Sequence, residues 1–117
     1  MKESIIKDKS KAFAVRIIKM YKYLVYEADT KEYVLSKQVV RSGTSIGANV
    51  REALRGQSRP DFRAKMNIAL KEACETEYWL ELLCETDFID QNSFTSIHEE
   101  CLEIIKILTS IVKNTDC

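Results

Sequence analysis

Glycine and proline are scarce in this sequence: only three of its 117 residues are glycine and one is proline. An all-β domain needs a turn residue about every 8–12 residues, so this shortage excludes a sandwich or a barrel. Apolar residues make up 45% of the chain, which is too many for a disordered protein. The composition therefore predicts an all-α fold.

Long apolar runs are also absent. No stretch approaches the roughly 18 consecutive apolar residues of a membrane span. The first ten residues, MKESIIKDKS, lack the apolar run of a signal peptide. We therefore expect a cytoplasmic protein that makes no membrane contact.

Groups that carry catalysis or bind metals are few. The single histidine, His98, has Thr95 three residues before it, so the paired Glu-x-x-His motifs of di-iron bundles are missing. We expect His98 to lie on the surface. The cysteines show neither a CxxC pair nor metal-ligand spacing and are predicted to be core residues or bystanders: Cys74, Cys84, Cys101 and Cys117. These patterns predict a protein that is not an enzyme and has no cofactor and no metal site.

Apolar residues recur at helical spacing in four segments, each with one apolar face. The predicted helices span residues 10–28, 31–57, 59–85 and 94–112. Ser58 and Pro60 mark the clearest boundary, since Ser58 can cap a helix whose first turn tolerates proline. Asp29 or Thr30 can cap the second helix, and Asp29 has capping-box spacing to Glu32. Short connections make consecutive helices antiparallel, so the sequence predicts a single domain, 1–117, forming an up-down-up-down antiparallel four-helix bundle.

Charge is divided between the two halves of the chain, although the net charge is zero. Residues 1–59 contain 13 Lys and Arg against 6 Asp and Glu, whereas residues 60–117 contain 5 against 12. One interpretation is that the halves attract each other within or between subunits. The other is that part of the basic half faces a polyanion.

The second predicted helix concentrates basic residues on the face opposite its apolar stripe, within about 80° of one another. These candidate nucleic-acid-binding residues are Lys37, Arg41, Arg51, Arg55 and Arg59. Guanidinium groups one or two turns apart match the spacing of backbone phosphates. The alternatives are a solvated face, or pairing with the acidic helices of a neighbouring subunit. Because no aromatic residue is interleaved, stacking on single-stranded bases is not supported.

Two further features of the middle helices have structural interpretations. Gly43 and Gly47 each cost a helix about 1 kcal/mol relative to Ala, which predicts close approach of another helix. A phosphate-binding loop is the competing idea, but it lacks the Lys-Ser/Thr pair and a preceding strand. Several polar residues of the second and third helices lie close to the apolar stripes. We expect some of them to meet, together with Thr76, in a network that fixes helix register. They are Arg41, Ser45, Asn49, Glu72 and Glu75.

Large apolar and aromatic residues outside the core stripes predict self-association, because amphipathic rings suit a half-buried surface. The candidate oligomer interface comprises Tyr23, Tyr26, Ile68, Tyr78 and Trp79. Single exposed aromatic residues are nevertheless common on monomers, which is the alternative explanation.

Two segments, RSGTSIGANVREA at 41–53 and DFRAKMNIALKEACETEYWLELL at 61–83, resemble the four-helix-bundle proteins encoded in intervening sequences of bacterial 23S rRNA genes. The resemblance covers almost the whole chain. Its most specific residues are Arg41-Ser42, Ser45-Ile46, Ala48-Asn49, Glu52, Phe62, Ala69, Glu72, Glu75 and Tyr78-Trp79-Leu80.

This resemblance implies a homopentameric barrel of four-helix bundles. It also implies kinship with the accessory protein of diversity-generating retroelements, a basic pentamer that binds nucleic acid and a reverse transcriptase. RNA or DNA, and a reverse transcriptase or another protein, are thus the expected partners. The alternative function is a protein-interaction scaffold in which the arginines form only intersubunit salt bridges.

Overall fold

The computed structural model describes residues 1–116, which form four long helices joined by short connections. The helices are α1 (Lys2–Lys22, continued by a π-helical turn at Tyr23–Glu27), α2 (Val34–Leu54), α3 (Arg59–Glu85) and α4 (Gln91–Asn114). Each helix packs against its neighbours in sequence, and α1 closes against α4. The predicted all-α four-helix bundle is therefore confirmed.

The core runs along the 48 Å length of the bundle and is filled by one apolar stripe from each helix. Phe13, Ile46, Leu80 and Leu108 are among the side chains that are almost completely buried. Because each stripe faces the common axis, the opposite face of each helix is left to solvent. Within residues 1–116, no helix has the length and apolar character needed to cross a membrane.

The first helix begins two turns earlier than predicted, at Lys2 instead of residue 10. Ile6 and Ser10 are both buried and extend the stripe of Phe13 and Ile17 toward the N-terminus. The many charged residues between positions 2 and 11 lie on the exposed side of the same helix. These charged residues made the helical spacing of apolar residues hard to recognise, because only Ile6 continues the buried apolar stripe at this end.

The predicted start of α2 was wrong. The helix spans Val34–Leu54 instead of 31–57, and the side chain of Asp29 does not cap it. Glu32 performs this function alone: its Oε2 accepts from the amides of Leu35 at 3.0 Å and Ser36 at 3.2 Å. These bonds explain why Glu32 is buried, since free amides at a helix start stabilise a carboxylate.

The boundary between α2 and α3 agrees with the sequence. Ser58 is the N-cap of α3, and its Oγ accepts from the amide of Asp61 at 3.2 Å. Pro60 lies in the first turn, where its missing N–H leaves no hydrogen bond unmade. At the next boundary Asp90 caps α4 by accepting from the amide of Ser93 at 2.7 Å. These caps keep the connections short and the helices antiparallel.

Candidate nucleic-acid interface

The five basic residues singled out in the sequence are all exposed in the structure. Three lie on the outer face of α2, opposite the buried side chains of Ile46 and Val50, while Arg55 is the C-cap residue of α2 and Arg59 is the first residue of α3. They are Lys37, Arg41, Arg51, Arg55 and Arg59. Between them the surface carries the small residues Thr44 and Ala48. The arrangement places the basic stripe on the solvent side of the bundle, and its binding role stays a prediction.

Arg41 differs from the others because acidic residues of α3 hold it. Its Nη2 donates to Oε2 of Glu75, and its Nη1 lies 3.8 Å from Oε1 of Glu72. Glu75 Oε2 also accepts from the indole Nε1 of Trp79 at 3.0 Å. The Arg41 guanidinium is therefore partly neutralised within its own subunit.

Lys37 and Arg59, at the two ends of the stripe, have weaker intramolecular contacts. The Nζ of Lys37 lies 5.9 Å from the ring centroid of Tyr33, within range of a cation–π interaction. The Nε of Arg59 donates to the backbone oxygen of Asp116 at 3.2 Å. Neither contact neutralises the cation, because neither partner group carries a full negative charge.

Arg51 and Arg55 are the two exposed arginines for which residues 1–116 supply no ion-pair or hydrogen-bond partner to the guanidinium. The nearest acid in sequence, Glu52, is instead paired with Lys65 of α3, with 3.0 Å between Oε1 and Nζ. The full charge of both guanidinium groups is therefore available to an external anion.

The predicted polar network is divided in the structure. Arg41 meets Glu75 and Glu72 across the contact between α2 and α3. Ser45 and Asn49 instead bond to each other along α2, since Nδ2 of Asn49 donates to the backbone oxygen of Ser45 at 2.9 Å and lies 3.1 Å from its Oγ. The Oε2 of Glu72 is buried and finds no hydrogen-bond partner within residues 1–116.

Thr76, which was predicted to join the polar network, meets Ser42 of α2, a partner that was not predicted. The hydroxyl oxygens of Thr76 and Ser42 lie 2.8 Å apart, and both side chains are fully buried. The two residues are 34 positions apart in the chain, so no local pattern connects them. Their contact ties the register of the two helices from inside the core.

The residues assigned to an oligomer interface lie on helices α1 and α3, which are diagonal in the bundle. Tyr23 and Tyr26 project from the π-helical turn and are 52% and 68% exposed. On α3, Ile68 and Tyr78 are also exposed. Trp79 is only partly exposed and packs against the core, with its ring centroid 5.2 Å from that of Tyr78.

His98 is less exposed than the sequence suggested. Its Nε2 lies 2.8 Å from Oε2 of Glu77 on α3, and its ring stacks on Phe94 with centroids 4.7 Å apart. The adjacent helix therefore covers this histidine, a contact that the sequence around it does not reveal. Within residues 1–116, no group of three His, Cys, Asp or Glu side chains is placed to hold a metal ion.

Three of the cysteines have distinct environments. Cys74 is exposed, Cys84 is half-buried and Cys101 is buried, where its Sγ lies 3.4 Å from the backbone oxygen of Ala73. Burial raises the pKa of the Cys101 thiol to about 12, with a smaller contribution from the charge of Glu77. The predicted role for Cys117 lies outside the described residues. Cys101 thus behaves as a small core side chain.

Comparison with known proteins agrees with this architecture. The model of the family described as 23S rRNA-intervening sequence protein matches residues 2–110. The chain belongs to this family. It is also similar to the crystal structure of a protein of unknown function from the S23 ribosomal protein family of Bacteroides thetaiotaomicron, at 59% identity and a TM-score of 0.94. That match covers 97% of this chain and 100% of the other. No curated protein matches the chain significantly.

Proposed function

We propose that this chain is a non-enzymatic, homo-oligomeric protein of the cytoplasm that binds RNA or DNA through the exposed basic face of α2. The observation that carries the proposal is the pair Arg51 and Arg55. Arg51 lies on the outer face of the last turn of α2 and Arg55 is the C-cap residue, and residues 1–116 leave both guanidinium groups without an acidic partner. Exposed cations of this kind release counterions when they meet phosphates, which drives binding without base recognition.

Self-association is supported by the position of the exposed aromatic residues. They form two separate surfaces, one around Tyr26 on the π-helical turn after α1 and one around Tyr78 on α3, on diagonal helices. A two-fold dimer covers the same surface on both partners and leaves the other surface exposed. Contacts between two different surfaces instead generate a ring when the rotation between subunits closes, and the family resemblance implies a ring of five.

Sedimentation velocity at micromolar concentration tests the assembly. We expect a species of five times the 13.5 kDa chain mass, and Tyr78→Arg should shift it toward smaller species. Thr109→Arg, on the exposed face of α4, is the matched control and should leave the sedimentation profile unchanged. A wild-type monomer would contradict the proposed oligomer.

The nucleic-acid role is tested by measuring the affinity for a structured RNA and for a DNA of the same sequence at two salt concentrations. We expect binding that weakens steeply with salt, and a shallower dependence for the double variant Arg51→Ala/Arg55→Ala. The control Lys106→Ala/Lys113→Ala removes two exposed cations from α4 and should bind like wild type.

The second candidate function is a protein-interaction scaffold without nucleic acid. The pairing of Arg41 with Glu75 favours it, because it shows that acidic residues of α3 can neutralise arginines of the stripe. In a scaffold, Arg51 and Arg55 would pair with acids of a neighbouring subunit. Absence of RNA and DNA binding at low salt, together with loss of the oligomer in the Arg51→Ala/Arg55→Ala variant, would establish the scaffold.

A further inference from the structure

The contact between α1 and α2 fixes which lysines of α1 lie beside the unpaired arginines. A Cβ built on Gly47 would lie 3.5 Å from the backbone oxygen of Ser10, so these two residues face each other across the seam. Because the helices are antiparallel, Lys11 lies level with Gly47. Lys7, three residues before Ser10, lies level with Arg51, four residues after Gly47.

Lys7 and Lys11 lie on the side of α1 that is turned away from α4. Lys9 and Arg16 are on the α4 side of the same helix, where they pair with Glu103 and Glu100. At about 100° per residue, Lys7 and Lys11 lie roughly 140–180° around the helix from these two. Both are exposed, and residues 1–116 offer their ammonium groups no ion pair.

The acidic part of α3 and α4 cannot contribute to the same surface. Residues 72–105, which form the end of α3, the connection and the first half of α4, contain ten Asp and Glu and no Lys or Arg. Arg41, in the half of α2 nearest this region, is already held by Glu75. A polyanion is therefore repelled from these acidic segments of α3 and α4 and attracted to the end where Arg51 and Arg55 lie.

We infer that Lys7 and Lys11 of α1 join Arg51 and Arg55 of α2 in one surface that binds the phosphate backbone of double-stranded RNA. The inference rests on the proposed nucleic-acid function and adds α1 to it. Packed helices lie about 8–10 Å apart, and glycine at the contact favours the lower end of this range. The surface thus presents two neighbouring rows of cations, one on each helix.

The shape of this surface selects duplex RNA. The positions beside these cations are small, with Gly47 at the α1–α2 contact and Thr44 and Ala48 along the arginine row, so they offer no aromatic ring for unpaired bases to stack on. Helices α1 and α2 are each packed on both sides, so neither can enter the major groove of B-DNA as a recognition helix does. The wide, shallow minor groove of A-form RNA instead presents both backbones to a flat surface.

The test measures the affinity of the full chain and its variants for three probes of equal length at 50 and 200 mM salt. The probes are a duplex RNA, a duplex DNA and a single-stranded RNA. Lys7→Ala/Lys11→Ala should weaken duplex RNA binding by roughly tenfold and lower the salt slope by about two. Lys106→Ala/Lys113→Ala should match wild type in both. Thermal unfolding confirms that each variant folds, which is expected because all four lysines are exposed.

The outcomes separate this inference from the function on which it rests. If Arg51→Ala/Arg55→Ala weakens binding while Lys7→Ala/Lys11→Ala behaves like the α4 control, the composite surface is wrong and the α2 proposal stands. If wild type binds none of the probes at 50 mM salt, both fail. Equal or tighter binding of duplex DNA or single-stranded RNA would overturn the assignment to duplex RNA.

Discussion

Gly43 of α2 lies against Ile17 of α1 so closely that a Cβ added to the glycine would be 3.0 Å from Cγ2 and 3.1 Å from Cγ1 of the isoleucine. Ile17 is fully buried, and its branched side chain has little rotamer freedom in a helix. The absence of a side chain at position 43 therefore sets how near the two helices approach.

This contact predicts that Gly43→Ala destabilises the protein although alanine is the better helix former. The propensity gain of about 1 kcal/mol should be outweighed by overpacking in the core, which costs about 1–3 kcal/mol. We expect a net loss of about 1 kcal/mol in the free energy of unfolding, measured by urea denaturation.

Gly47→Ala is the matched control on the same helix face. Its added Cβ would meet Ser10 at 3.5 Å, an ordinary van der Waals distance, so only the propensity gain remains. Stability should rise by up to about 1 kcal/mol. A rise of equal size for both variants would show that the Gly43 contact does not limit the packing.

The fold could be predicted from the sequence because each helix carries its own periodic apolar stripe and most boundaries carry their own caps. Ser58 illustrates this, since the residues that it caps are adjacent in sequence. The first two turns of α1 escaped prediction because only Ile6 marks their buried side among many charges. The cap by Glu32 also escaped, since it depends on how the preceding loop turns.

The candidate site could be predicted only in part, for a different reason. A helical wheel places Arg41 and Arg51 on the same face, as the structure does. A helical wheel contains no information about the register between helices. That register determines that Arg41 meets Glu75, whereas Arg51 meets no acidic residue within residues 1–116. For the same reason the wheel of α2 could not show that Lys7 of α1 lies level with Arg51.

Glu75 is the residue on which the surface network at the α2–α3 seam depends, because it accepts from both Arg41 and Trp79. Its replacement in Glu75→Ala should cost about 1 kcal/mol, chiefly through the indole hydrogen bond, since the partly exposed ion pair contributes little. Trp79 is the single tryptophan of the chain, so its fluorescence reports the change directly. We expect a shifted emission maximum in the native state.

Glu72→Met is the matched variant three residues away. One oxygen of Glu72 is buried without a hydrogen bond, and its distance to Arg41 is 3.8 Å, so the carboxylate is poorly compensated. Replacing such a group by an apolar side chain of similar length is often neutral or stabilising. A large loss of stability for Glu72→Met, with none for Glu75→Ala, would transfer the structural role to Glu72.

The ionisation of Cys101 makes the stability of the core depend on pH in the alkaline range. Its thiol is completely buried, and burial raises its pKa from 9.0 to about 12. Above pH 9 the unfolded chain loses this proton while the native chain keeps it, so the native state binds more protons. Stability is therefore fully present below about pH 8 and decreases as the pH rises toward 12.

We expect Cys101→Ala to remove this part of the pH dependence. Between pH 8 and pH 10.5, the free energy of unfolding of the wild type should fall by about 2 kcal/mol more than that of the variant. Urea denaturation at the two pH values measures the difference, and the comparison cancels the lysines and tyrosines that also titrate there. Cys74→Ala is the control, because Cys74 is exposed and burial raises the pKa of its thiol less than it raises that of the buried Cys101 thiol. Parallel losses in wild type and Cys101→Ala would show that Cys101 ionises in the folded protein, and that the α3–α4 seam opens to solvent.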